Sequence, residues 1–394
     1  MFRSIQLSLK DYGLIFLLFL TELTRGAFFL TFWPLYSVNF LGLSVVTAGV
    51  VVSTHYLSET LVKIAAGYHL DRHGRPILVA GVMISLLSLL SLYQVETRWL
   101  LILWSGVFGL GFAPVWLAVI SQVAPTGIPE RASRMGVVFA AWLLGAGTGP
   151  VGINFILPSG YKPTFQFLIL LWAIGAVLVI FIPIQAKTMV TAPVSLVEQF
   201  KKMAASERFI KVLLPGMFLQ TLAASLLLPI LPLYATQILG LDSRQYGLLL
   251  TFGGAATVLF LVPMARLVDR LPLKAVLTAG FLLSALFLGV VPLTQNLAYV
   301  FTLVVLVGLS YAIILPAWNS LLAEAISAEH QATGWGIFST LEGLGIAAGP
   351  ALGGLISAII HPASAIYLSA MILAGMGLFY LFYPFDRILM TRSD

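Results

Sequence analysis

The chain has 394 residues, of which 60% are hydrophobic and 9% charged, with a formal net charge of +6 and no cysteine. A soluble domain carries roughly a quarter charged residues, so this composition excludes an ordinary water-soluble fold. The lack of cysteine excludes disulfides, thiolate metal sites and cysteine nucleophiles.

The apolar residues fall into twelve runs, at about 14–40, 46–68, 76–94, 99–123, 133–157, 164–184, 211–239, 244–266, 273–292, 297–323, 332–358 and 364–386. Each is long enough for a helix to cross the ~30 Å hydrocarbon layer. Backbone groups cannot be left unpaired in lipid, so the runs must be helices. The short alternating segments of a membrane β-barrel are absent from the sequence. The first run is too long for a signal peptide and lacks a small-residue cleavage site, so it is expected to stay in the protein.

Taken in order, the first run holds Glu22 and Arg25 one turn apart. The second holds His55, Glu59 and Lys63 as an i, i+4, i+8 stripe. It ends in Gly67-Tyr-His-Leu-Asp71-Arg72-His-Gly74-Arg75. The fourth contains Pro114-Val-Trp116. The fifth contains Trp142 and the run Gly145-x-Gly147-x-Gly149-Pro150-x-Gly152. Residues 185–210 form the one long polar stretch. Within them Leu196, Val197, Phe200, Met203 and Ala204 recur at helical spacing opposite Glu198, Lys201 and Lys202, which reads as a short amphipathic helix on the membrane surface. The seventh run carries Gln220 and is interrupted by Pro229 and Pro232. The eighth is followed by Asp269-Arg270. The tenth holds Pro316-Ala-Trp318-Asn319, and the eleventh holds Glu342 and Gly345-x-x-x-Gly349-Pro350-x-x-Gly353-Gly354.

These landmarks occur twice, about 200 residues apart: Pro34-Leu-Tyr36 with Pro232-Leu-Tyr234, Asp71-Arg72 with Asp269-Arg270, Trp116 with Trp318, and Gly149-Pro150 with Gly349-Pro350. A duplicated half in so apolar a chain marks a transporter made of two helical bundles. The expected organisation is an amino-terminal six-helix bundle (1–184), a cytoplasmic linker (185–210) and a carboxy-terminal six-helix bundle (211–394). Lys and Arg gather on one side, including Arg72, Arg75, Arg131, Arg134, Lys201 and Arg270, while only Arg98, Lys162 and Arg244 fall on the other. The positive-inside rule then places both termini in the cytoplasm. The basic excess is a topology signal and not a nucleic-acid footprint.

The Asp71-Arg72-x-Gly74-Arg75 loop resembles the signature loop of the major facilitator superfamily. The twelve runs, the central linker and the Gly-Pro segments of the fifth and eleventh helices are also similar to that family. Its second copy, at Asp269-Arg270, lacks the glycine. Leu214-Pro-Gly-Met-Phe-Leu-Gln220, Pro229-Ile-Leu-Pro-Leu-Tyr-Ala-Thr236, Leu315-Pro-Ala-Trp-Asn319 and Gly334-Trp-Gly-Ile-Phe338 resemble the Gram-positive subgroup of flippases for the glycolipid anchor of lipoteichoic acid. The resemblance implies an all-α membrane fold of twelve helices. It also implies a latch between bundles at Asp71, Arg72, Gly74, Arg75, Asp269 and Arg270, with Asp71 read as just past the end of the second helix. Gly149, Pro150, Gly349 and Pro350 are expected to act as helix hinges.

A charge facing lipid at the bilayer middle costs at least ~2.5 kcal/mol, so Glu22, Arg25, His55, Glu59, Lys63 and Glu342 should face one another or water. Burial makes a carboxylate hold its proton and a nearby cation makes it release one. Alternating exposure would alternate that balance, as proton coupling requires. The same groups could instead contact a polar cargo or form permanent ion pairs. Trp116, Trp142, Trp318, Gln220, Asn319, Arg25 and Glu342 are the candidate substrate contacts, since aromatic faces with nearby amides suit sugar rings. Five ionisable groups, Glu22, Arg25, His55, Glu59 and Lys63, are expected to be buried in the amino-terminal bundle, and only Glu342 in the other, where Glu324 falls near a helix end. A cargo with a polar head and apolar tails fits that asymmetry. The expected function is proton-coupled flipping of a diglucosyl-diacylglycerol-like glycolipid, without cofactor, by a monomer. The alternative is a proton-coupled exporter of drugs or small amphiphiles. A membrane-bound lipid enzyme is disfavoured, because the sequence has no paired metal-ligand motif, nucleophile elbow or phosphate-cradling loop.

Overall fold

The computed structural model describes residues 7–125, 131–184, 213–268, 270–325 and 331–383, with side chains described except at 131–132, 323–325 and 331–337. Contact density divides the chain into two units, Met1–Pro193 and Val194–Asp394. In the first, α1 runs from Leu9 to Ala27 and continues helically to Phe40, followed by α2 (Val45–His73), α3 (Arg75–Gln94), α4 (Arg98–Val123), α5 (Arg131–Ile156) and α6 (Tyr161–Phe181). The second holds α7 (Leu214–Ser225), α8 (Ser243–Val268), α9 (Leu273–Val290), α10 (Leu297–Ala325), α11 (Gln331–Ile359) and α12 (Ala363–Phe382).

Among the described residues, eleven helices are long and apolar enough to cross a membrane. The seventh apolar run is the exception, for a reason visible in its sequence. Pro229 and Pro232 lack the amide proton a regular helix needs. The chain leaves α7 after Ser225, turns through Leu226–Ile230 and resumes helically at Leu231–Ile238. The amphipathic segment expected within 185–210 lies outside the described residues.

The duplication read in the sequence recurs bond for bond. After Pro34-Leu-Tyr36 the chain widens to an i→i+5 turn, Leu41 N–H donating to Tyr36 O at 3.0 Å, and then Leu43 N–H donates to Ser37 O at 2.9 Å. After Pro232-Leu-Tyr234 the corresponding bonds are Leu239 to Tyr234 O at 3.1 Å and Leu241 to Ala235 O at 2.9 Å. Each helix is closed by a glycine in the left-handed region, Gly42 at φ 67° and Gly240 at φ 66°, where side chains with a Cβ are strained.

The two units also pack alike. In the first, α1 packs on α5 and α2 on α4; in the second, α7 packs on α11 and α8 on α10. The first core gathers Leu14, Leu17, Leu78, Val82, Val115 and Val179. The second gathers Met217, Leu277, Phe281, Ile314, Trp318 and Tyr380. The glycines expected as hinges set the α1–α5 and α7–α11 distances. A methyl group at Gly149 would overlap the Leu23 carbonyl, and one at Gly349 would overlap the Ser225 hydroxyl. Both α5 and α11 run unbroken through Pro150 and Pro350.

Such close approach makes overpacking costly, typically about 1–3 kcal/mol. Gly149→Ala and Gly349→Ala should each lower the thermal midpoint of the purified protein. Gly147→Ala, with nothing within 4 Å of the added carbon, should leave it in place. Equal effects at Gly147 and Gly149 would contradict the packing described.

Candidate functional site

Five ionisable groups of the first unit form one buried cluster. Glu22 and Arg25 face the same way because residues three apart on a helix are neighbours, and His55, Glu59 and Lys63 align on α2 for the same reason. Arg25 joins the two helices. Its Nε and Nη2 donate to Glu22 Oε2 at 3.1 and 2.7 Å, and its Nη1 donates to Glu59 Oε2 at 2.9 Å. Lys63 Nζ approaches Glu59 Oε1 at 3.0 Å. The Glu22 side chain is 2% exposed and that of Glu59 6%. Two carboxylates and two cations balance, which is what allows four formal charges to sit inside an apolar unit.

The sequence gives no sign of the aromatic walls of this cluster. The Arg25 guanidinium lies 4.4 Å from the centre of the Phe112 ring and 5.4 Å from that of Tyr56, so ring faces complete the solvation of its charge. His55 is fully buried among Phe29, Phe108 and Tyr56, with ring centres 4.3, 4.9 and 5.1 Å away. Its Nε2 stands 4.0 Å from Glu59 Oε2, too far for a hydrogen bond. Neither ring nitrogen makes a well-formed hydrogen bond.

Backbone contacts hold the cluster in register. Ser58 Oγ lies 2.8 Å from Gly106 O, which it can donate to, and 3.0 Å from His55 O. A methyl at Gly109 would overlap the His55 carbonyl. At α5, a methyl on Gly145 would sit 3.0 Å from Glu22 Cβ. These glycines lack any chemical signal of their own, so sequence reading takes them for packing alone.

Of the expected aromatic contacts, Trp116 and Trp142 are half-buried and meet edge to face at 6.2 Å, with Phe139 against Trp116. In the second unit Trp318 is 1% exposed, lies in the core and donates its indole N–H to Glu342 Oε1 at 3.3 Å. No cation pairs with Glu342 among the described residues. Gln220 Oε1 is enclosed without a hydrogen-bond partner. The exposed Asn319 amide donates back to Leu315 O at 3.0 Å.

The position of Asp71 corrects the sequence reading. α2 runs on to His73, so Asp71 and Arg72 occupy its last turn rather than the loop beyond it. Gly74, at φ 66°, closes that helix, and α3 begins at once with Arg75. Apolar runs end where polar residues begin, but the helix continues until a residue permits the turn. Asp71 and Arg75 are half-buried, Arg72 and Arg270 are exposed, and Asp269 lies outside the described residues. A second buried pair was unforeseen. Asp11, 5% exposed, accepts from the Ser8 N–H and hydroxyl and from Arg134 Nη1 at 3.3 Å, and the same Nη1 donates to Val123 O. The Ser8-x-x-Asp11 capping box is the signal that could have found it.

The model of the Major Facilitator Superfamily matches residues 14–209 and 213–390. The chain belongs to this superfamily. It is a transporter and not an enzyme, and it is a multi-pass protein of the cell membrane. Among curated relatives, the proton-coupled antiporter flippase LtaA of Staphylococcus haemolyticus is 30% identical over 378 residues, covering 93% of this chain and 92% of the relative. LtaA of Staphylococcus saprophyticus is 29% identical, covering 94% and 93%. Among solved structures, the nucleoside transporter NupG aligns with a TM-score of 0.75 at 14% identity, covering 95% of this chain and all of that one. A bacterial homologue of the human lysosomal transporter Spinster aligns at 0.73 with 15% identity, covering 94% of each. At such identities the structures speak for the superfamily fold alone.

Removing one partner from a buried ion pair costs about 3–5 kcal/mol because the other charge is left uncompensated. Arg25→Met leaves Glu22 without a cation and Glu59 with Lys63 alone, and should lower thermal stability by that order. Lys63→Met removes an ammonium that is 24% exposed and should cost about 1 kcal/mol or less. A Lys63 variant as damaging as the Arg25 variant would contradict the place of Arg25 as the joint of the cluster.

Proposed function

We propose that this transporter works by alternating access, moving a glycolipid of the diglucosyl-diacylglycerol type from the inner to the outer leaflet in exchange for protons. The observation that carries the reading is the charge-balanced cluster of Glu22, Arg25, Glu59 and Lys63. A site without net charge suits an uncharged hydroxyl-rich head better than a phosphate, which would need a surplus of cations. The similarity to the staphylococcal proton-coupled antiporter flippases supports the same cargo class and the same coupling.

In this reading Arg25 and the half-buried Trp116 and Trp142 receive the sugar head. The second unit, whose described membrane helices carry Glu342 but no cationic partner for it, accommodates the acyl tails. Trp318, Gln220 and Asn319 contribute there when the helices shift. All twelve apolar runs span the bilayer, with both termini cytoplasmic. Gly149-Pro150 and Gly349-Pro350 serve as tight pivots between paired helices, and Asp71, Arg72, Gly74 and Arg75, with their second copy at Asp269 and Arg270, form a cytoplasmic latch. A rival reading rests on Glu342: a carboxylate without a cation would suit a cationic amphiphile.

The two readings part in proteoliposomes carrying the purified full-length protein. Fluorescent diglucosyl-diacylglycerol should become accessible on the receiving leaflet faster when a pH gradient is imposed. A cationic dye should not be expelled. Dye expulsion without glycolipid movement would overturn the glycolipid reading in favour of the exporter.

A further inference from the structure

The two carboxylates of the cluster are not equivalent. Glu59 uses both oxygens, Oε1 towards Lys63 and Oε2 towards Arg25. Glu22 uses one: Arg25 Nε and Nη2 converge on Oε2, and Oε1 takes part in none of the cluster's hydrogen bonds. A proton on Glu59 would leave Lys63 without its carboxylate and weaken one of the three hydrogen bonds that Arg25 donates. A proton on Glu22 Oε1 would disturb no bond that exists.

We propose that Glu22 is the carboxyl that loads and releases the coupled proton, at Oε1, while Glu59 remains the ionised anchor of Arg25 and Lys63. The proposal rests on the antiport reading above and assigns its parts. The proton arrives from water on one side of the membrane and leaves to water on the other. With Glu22 ionised the four charges balance; with Glu22 protonated the cluster carries one net positive charge. A hydroxyl of the cargo head group donates to the same Oε1 when it is ionised, so cargo and proton compete for one atom, which makes the exchange obligatory.

The surroundings of Glu22 leave few rivals for that role. Its own helix brings Arg25. From α2 come Glu59 and Lys63, whose charges act on it, and Tyr56, which lies within reach of its charge. His55, also on α2, faces Glu59. From α5 comes the bare backbone at Gly145. Among the described residues, α4 and α6 add no charge to those acting on it.

Infrared difference spectroscopy on the purified full-length protein tests the assignment without any cargo. A shift from acid to neutral pH should remove a protonated-carboxyl band. That band should be missing in Glu22→Gln, present at a displaced pH in Glu22→Asp, and present in Glu59→Gln if that variant folds. In proteoliposomes Glu22→Gln should also reduce the effect of the pH gradient on glycolipid movement to none, where a merely structural role would slow movement and keep the gradient's effect. A band that persists in Glu22→Gln would overturn the proposal. A band that behaves as expected while diglucosyl-diacylglycerol never moves would sink the glycolipid reading and leave the Glu22 assignment standing.

Discussion

Everything in the first unit is arranged around one guanidinium shared by two carboxylates inside a membrane. Arg25 cannot be deprotonated at ordinary pH, so a unit that keeps it must supply compensation wherever it lies. Glu22 supplies it from the same helix and Glu59 from the next, while the faces of Phe112 and Tyr56 complete its surroundings. Lys63 then balances the second carboxylate. Removing Arg25 leaves Glu22 without a cation inside an apolar unit. The cluster is therefore one network, with Arg25 as its joint.

Close packing is what keeps this network from relaxing into separate pairs. Glycines on α4 and α5 bring the backbone up against His55 and Glu22, so α1 and α2 have little room to slide. The second unit repeats the scaffold, with α11 against α7 at Gly345, Gly349 and Gly353. It does not repeat the chemistry. In place of the shared arginine it has a carboxylate held by the Trp318 indole. The two units thus share a framework and differ in the polar groups it holds.

Much of this was legible in the sequence because helices turn periodic spacing into shared faces. The i, i+3 spacing of Glu22 and Arg25 and the i, i+4, i+8 stripe of His55, Glu59 and Lys63 were enough to expect a buried network. The repeat of Pro34-Leu-Tyr36 at Pro232-Leu-Tyr234 was enough to expect a duplicated half, though not the matched helix ends that follow it. What stayed hidden depends on contacts between helices. Phe112 is one apolar residue among many until α4 is laid against α1, and Arg134 reads as a topology charge until α5 brings it to Asp11. The end of α2 was misplaced because hydropathy stops at Gly67 while the backbone turns only at Gly74.

The central claim is that proton and cargo contend for the same carboxylate. It is tested most directly by adding diglucosyl-diacylglycerol to the purified protein in weakly buffered detergent at mildly acid pH and following a pH-sensitive dye. The account predicts that protons are released in step with the cargo bound. Proton uptake, or binding with no change in proton content, would contradict it.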